Sequence, residues 1–173
     1  QEQTIPVILA GKDLMGIAQT GSGKTACFVM PILEKLQNED VKKDRNIQVL
    51  VLAPTRELVI QIDDVFRAFT ENLKREIRTM AVYGGVSINP QMKGMFGVEI
   101  LVATPGRLLD LIEHNALSIS QISHLVVDEA DKMFQLGFEE EMNKLFAMMP
   151  VLKQTTLFSA TLNEKVEDIK KRL

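Results

Sequence analysis

The 173 residues predict an α/β protein, a parallel β-sheet covered by helices on both faces. Three observations carry that prediction. Short apolar runs rich in Val, Ile and Leu alternate along the whole chain with segments whose apolar residues recur at helical spacing. Repeated strand-helix alternation of this kind means parallel strands joined by crossover helices. One connection is a glycine loop joining a strand directly to a helix, within the stretch 13–25, and unusual polar groups fall immediately after strands.

Each element follows from its own pattern. Ile5 to Leu9 forms a short helix, closed by a turn at Ala10-Gly11. Leu14 to Ala18 is a strand. Phe28, Val29, Ile32, Leu33 and Leu36 give the next segment a helical face. Pro31 lies inside it and is expected to kink the helix or end its regular part. Residues 38–46 are charged and apolar-poor, a solvated connection. Strands are expected at Ile47 to Ala53, Ile77 to Tyr83, Val98 to Ala103, Ile122 to Val127 and Thr155 to Phe158. Between them, Leu58, Ile62, Val65, Phe66 and Phe69 mark one helix, and a turn with a short Met-rich helix fills 87–97. Leu108 to Ile112 begin another helix, Phe138 to Met149 a third, and an Asn163 cap opens the last, to Leu173.

In the stretch 13–25 the glycines let successive backbone N–H groups turn towards one point without Cβ clashes. The helix that follows adds the partial positive charge of its N-terminus. Lys24 supplies a full positive charge and Thr25 a hydroxyl for Mg²⁺. This is the pattern of a phosphate-binding loop, with Ala18 where the common form has Gly. A plain glycine turn with an exposed lysine would not need a strand before it and a helix after it.

Composition narrows the class. The length suits one domain, 1–173. Twenty Lys and Arg against 23 Asp and Glu leave a net charge of −3, which argues against a broad basic nucleic-acid surface but leaves room for a narrow groove with a few arginines. The single cysteine, Cys27, permits no internal disulfide and reads as a small core residue. No apolar run reaches membrane-span length and no signal peptide is visible, so the expected setting is intracellular, cytoplasmic or, in a eukaryote, nuclear, without a membrane. His114 and His124 lack metal-ligand spacing.

Six polar clusters follow strands: the phosphate loop, Pro54 to Leu58, Gly84-Gly85, Thr104 to Arg107, Asp128 to Asp131, and Ser159 to Thr161. Singly, each has an ordinary reading as a helix start, a turn or a cap. Together they occupy one predicted edge of a parallel sheet, where ligands bind in open α/β folds. Asp128 ends an apolar strand, the place of a Mg²⁺-holding Walker B aspartate; Glu129 beside it suits a general base for an attacking water. Asp131 suits a structural or relay role.

In combination these residues resemble the DEAD-box family of ATP-dependent RNA helicases, in superfamily 2. Asp128-Glu129-Ala130-Asp131 is that family's name motif, and Ala18 to Thr25 matches its phosphate loop, including the first Ala. The other four clusters match further first-domain motifs in order and approximate spacing, and Gln1 before Ile5-Pro6 matches the end of the glutamine motif. The stretch 85–92 is most similar to bacterial RhlE-like members. The resemblance implies a RecA-like ATP-binding domain. It implies that Gln1 reads adenine, and that Thr20, Gly21, Ser22, Gly23, Lys24 and Thr25 hold ATP, with Thr25 and Asp128 on Mg²⁺. It implies catalytic roles for Lys24, Asp128 and Glu129. Pro54, Thr55, Arg56, Gly84, Gly85, Thr104, Pro105, Gly106 and Arg107 would hold an RNA sugar-phosphate backbone without reading sequence. Asp131, Ser159, Ala160 and Thr161 would couple nucleotide state to RNA state. The chain is then expected to be a monomeric first domain, beginning within the glutamine motif and lacking the second RecA-like domain, which in the family brings arginine fingers and the other half of the RNA clamp. The competing readings are a DNA-directed superfamily 2 ATPase, another P-loop phosphotransferase, and a non-catalytic docking module.

Overall fold

The computed structural model describes residues 3–18, 23–39, 46–71 and 73–172. Among the described residues six strands form one sheet: β1 (Leu14–Ile17), β2 (Val49–Leu52), β3 (Thr79–Val82), β4 (Ile100–Ala103), β5 (His124–Val127) and β6 (Gln154–Ser159). Every pairing is parallel, in the order β1-β6-β5-β2-β4-β3. Leu52 is in register with both Ala103 and Val127, and Ile17 with Ser159, so the carboxyl ends of the strands form a common edge. The expected parallel sheet is present, with strands trimmed by a residue or more at several ends.

Alternation along the strands divides the core in two, because successive side chains point to opposite faces. Val49 and Val51 pack with Val126, Phe158, Phe28, Ile32, Ile62 and Phe66 on one face. That face is covered by α1 (Thr4–Leu9), α2 (Lys24–Leu36) and α3 (Arg56–Thr70). Leu50 and Leu52 pack on the other with Leu101, Leu125, Leu157, Leu108, Met133, Leu145 and Val166. The helices there are α4 (Ile88–Gly94), α5 (Pro105–Glu113), α6 (Ala130–Gln135), α7 (Glu139–Met148) and α8 (Glu164–Arg172).

Of the two sequence expectations for Pro31, a kink or an end to the helix, the structure excludes the end: α2 continues to Leu36 with Pro31 buried inside it. A proline in a helix interior costs about 3 kcal/mol. Burying Phe28, Val29, Ile32, Leu33 and Leu36, at roughly 1.5–3 kcal/mol each, outweighs that. Gly16 has a packing reason: a Cβ there would lie 2.7 Å from the Phe158 ring, which packs at a tilt against Phe28 with 5.8 Å between centroids.

At the opposite edge of the sheet, His124 opens β5, is 4% exposed, and shares a 3.1 Å hydrogen bond with the Thr156 hydroxyl. Burial, helped by the nearby Lys35 ammonium, pushes its imidazole down to about 3. The folded protein therefore keeps His124 neutral where the unfolded chain, below its ordinary 6.5, takes up a proton. The stabilisation is complete above pH 6.5 and is lost as pH falls from there towards 3, by up to about 1.4 kcal/mol per pH unit. Urea unfolding across this window is expected to show that slope, and His124→Gln to flatten it; an equally steep slope in the variant would place the acid sensitivity elsewhere.

Candidate functional site

The carboxyl edge of the sheet carries the polar clusters. Gly23 caps α2 in the left-handed region, at φ +75°, and Lys24 and Thr25 form the helix's first turn. Lys24 is 9% exposed, and its ammonium donates to the Ala18 carbonyl at 3.4 Å and to Asp128 Oδ1 at 3.3 Å. The phosphate-loop helix is thus tied to the end of β5, with β6 between their strands. Gln1, Thr20, Gly21 and Ser22 lie outside the described residues.

Asp128 is 2% exposed and accepts from the Glu129 amide at 2.9 Å as well as from Lys24. Burial raises its carboxyl above the ordinary range despite the opposing pull of Lys24. A buried carboxylate with one lysine beside it favours additional positive charge. Glu129 takes the left-handed conformation, φ 51° and ψ 49°, which is uncommon for a non-glycine residue and clusters at functional sites. Its carboxylate sits 3.5 Å from the Lys132 ammonium.

These groups line a cleft of about 410 Å³ between α2, α3 and the start of α6. Gly23, Lys24, Thr25, Asp128 and Glu129 line it together with Thr55, the cap of α3, and Glu57 and Gln61 within α3. Lys132, Glu57 and Gln61 are additions that the motif reading does not assign to the cleft. Their signal is helical spacing: Gln61 follows Glu57 by four residues and Lys132 follows Glu129 by three, which puts each pair on one face. An ammonium, a helix N-terminus, a hydroxyl and two carboxylates suit a polyphosphate with a divalent cation. Among the described residues no group of three or more His, Cys, Asp or Glu forms a metal cage. A cation here would take Asp128 and Thr25 as protein ligands and complete its shell with phosphate oxygens and water, the usual manner of Mg²⁺.

A second network joins α6 to the end of β6. The Thr161 hydroxyl donates to Asp131 at 3.0 Å, and the Ser159 hydroxyl donates to the Thr161 carbonyl at 2.7 Å. Burial would raise the Asp131 carboxyl, but Thr161, the amides of Ala160 and Lys132 and the nearby Ser159 hydroxyl hold it below its ordinary value. Asp131 thus belongs to this network, three residues from Asp128, while Ala160 and Thr161 are exposed.

The remaining clusters adjoin one another at the β2, β3 and β4 ends. Thr55 caps α3, accepting from the Leu58 amide at 3.3 Å. Arg56 is exposed, with its guanidinium 4.8 Å from the centre of the Tyr83 ring. Gly84 and Gly85 follow Tyr83 in the open, Gly85 at φ +79°. The Thr104 amide bonds to the Val82 carbonyl at 3.1 Å, and Pro105-Gly106-Arg107 opens α5. Pro54, Thr104, Pro105 and Arg107 are buried, Arg107 against the Val86 carbonyl at 2.8 Å and 3.5 Å from Asp110.

This arrangement matches known proteins over nearly the whole chain. The DEAD/DEAH box helicase family model matches residues 1–169. The DEAD-box ATP-dependent RNA helicase CshA of Streptococcus pneumoniae is 46% identical over 170 residues, which cover 98% of this chain and 31% of that protein. The ATP-dependent RNA helicase DeaD of Escherichia coli is 43% identical over 173 residues, 99% of this chain and 27% of that protein. Among solved structures, a hypothetical ATP-dependent RNA helicase from Sulfolobus tokodaii superposes with a TM-score of 0.85 at 37% identity, over 98% of this chain and 48% of that one. A DEAD box protein from Methanococcus jannaschii gives 0.86 at 34% identity, over 98% and 45%. The chain spans about a third or less of the curated relatives it matches. With its RecA-like sheet and the motifs gathered on one edge, the chain belongs to the DEAD/DEAH box helicase family.

Proposed function

We propose that this chain is the N-terminal, ATP-binding RecA-like domain of an RNA helicase, a cytoplasmic monomer that works with a second RecA-like domain to couple ATP hydrolysis to RNA binding and local unwinding. The observation that carries the reading is the Lys24–Asp128 contact, which joins the phosphate-loop helix to the acidic strand end across a cleft that also holds Thr25 and Glu129. Gly21, Ser22, Gly23 and Lys24 with Thr20 hold the phosphates, and Gln1 reads the adenine. Thr25 and Asp128 hold Mg²⁺, which when bound screens the phosphate charge. Lys24 exchanges Asp128 for phosphate, and Glu129 orients water. Pro54, Thr55, Arg56, Gly84, Gly85, Thr104, Pro105, Gly106 and Arg107 form the RNA edge; Asp131, Ser159, Ala160 and Thr161 relay between edge and cleft.

Charge-assisted bonds from Lys24 to phosphate contribute roughly 1.5–3 kcal/mol. Lys24→Ala is therefore expected to weaken Mg-nucleotide binding about tenfold or more in calorimetry, and unchanged affinity would remove Lys24 from the site. Arg56→Ala is expected to weaken binding similarly across RNA sequences and to flatten its salt dependence. A sequence-selective loss would instead mean base reading. Preference for ribose over deoxyribose strands separates this function from a DNA-directed ATPase, since the 2′-OH distinguishes them.

A further inference from the structure

Two buried side chains hold the loop after β3 from behind. Gln91 of α4 is 7% exposed and donates Nε2 to the Tyr83 carbonyl at 3.2 Å. Arg107 of α5 donates Nη2 to the Val86 carbonyl. These two carbonyls flank Gly84 and Gly85. Between them the loop touches little: a Cβ at either glycine would meet nothing within 4 Å. The braces at its ends, more than packing on the glycines, therefore set how the loop sits. The Tyr83 ring is in turn held under Arg56.

Gln91 is a poor residue for the fold alone. Its Oε1 is buried with no hydrogen-bond partner among the described residues, and an unpaired buried acceptor disfavours the folded state. Leucine, of similar size, would remove that oxygen. A residue kept against the interest of packing is best explained by what its other end does, and that end holds Tyr83.

We infer that Gln91 is a positioning residue for RNA binding: it fixes the Tyr83 end of the Gly84-Gly85 loop, so that the loop's backbone amides meet a sugar-phosphate strand, while Arg107 braces the Val86 end. The inference rests on the RNA reading proposed above. Glycine amides approach a phosphate closely because no Cβ intervenes, but they are useful only when their direction is set. Gln91 never touches the RNA and carries no charge.

The test uses the two-domain protein, a labelled single-stranded oligouridylate and three variants: Gln91→Leu, Gly85→Ala and their combination. Gln91→Leu is expected to weaken RNA binding about three- to tenfold, the scale of one lost hydrogen bond. Nucleotide affinity should stay unchanged, the thermal midpoint unchanged or raised, and the salt slope of RNA binding unchanged, since no phosphate partner is lost. In the Gly85→Ala background, where a side chain is forced into a left-handed position, Gln91→Leu should cost little more, because both act through one loop. Gln91→Met, with a more adaptable side chain, serves as a second variant should leucine crowd the helix. Normal RNA affinity in either variant overturns the inference, as does a full additive loss in the Gly85→Ala background or an equal loss of nucleotide binding and thermal stability. Failure of the unmodified protein to bind RNA would overturn the functional reading itself, and this inference with it.

Discussion

Glu129→Gln in the two-domain protein is expected to lower ATP hydrolysis by about 10²–10⁴-fold, the usual contribution of a positioned general base, while ATP and RNA binding persist. Glutamine keeps the length and planarity of the side chain but loses the basic oxygen. The backbone that aims it is fixed independently: residue 129 sits in the left-handed region, its amide held by Asp128 Oδ1 at 2.9 Å. That conformation costs of order 1–3 kcal/mol for a non-glycine residue, which the packing of α6 behind it must offset. Single-turnover hydrolysis alongside equilibrium nucleotide binding separates chemistry from affinity. A near-normal rate would take Glu129 out of the chemistry and leave it a helix cap.

Residues 1–173 by themselves are expected to hydrolyse ATP about 10³–10⁵-fold more slowly than the two-domain protein, the range that an arginine finger supplies in phosphoryl transfer. The cations lining the cleft among the described residues are Lys24 and Lys132, and neither is an arginine. Lys132 is paired with Glu129, and Lys24, paired with Asp128, is the cation that the proposed function assigns to the phosphates. Arg56 stacks on Tyr83 and Arg107 is buried against Val86, and neither lines the cleft. Under the proposed function, charge building on the transferred phosphoryl group would meet no planar, bidentate donor among the described residues lining the cleft, and a second domain closing over the site would supply one.

Much of this was legible from residue order because the chemistry dictates residue type. A phosphate cradle needs glycines followed by Lys-Thr at a helix start, and the stretch 13–25 shows both. Strands buried on two faces need continuous Val/Ile/Leu runs, and β2, β4 and β5 carry them. Other features depend on three-dimensional direction. Spacing puts Gln61 on one face with Glu57 and Lys132 on one face with Glu129, but that these faces line the cleft depends on how α3 and α6 are rotated. The six residues of α6 are too few to show a helical period, and the strand-to-helix step at Glu129 needs an uncommon backbone angle that no residue type announces. Gln91 reads as a polar residue on a short helix, and its burial appears only once α4 is laid beside the Tyr83 carbonyl. Residue type alone does not decide between a kink and an end at Pro31: the apolar face around it stabilises α2 by more than the lost hydrogen bond costs, so the helix runs through it.

Under the proposed function labour is divided: this domain binds nucleotide and one side of the RNA, and catalysis waits for a partner domain. The most direct test of that division is ATPase activity measured side by side for residues 1–173 and for the two-domain protein, with single-stranded RNA titrated into both. Weak nucleotide binding, little hydrolysis and no RNA stimulation are expected in the shorter chain, and RNA-stimulated turnover in the longer one. RNA-stimulated hydrolysis by residues 1–173 at the two-domain rate would show that the site is complete within this domain and would contradict the account.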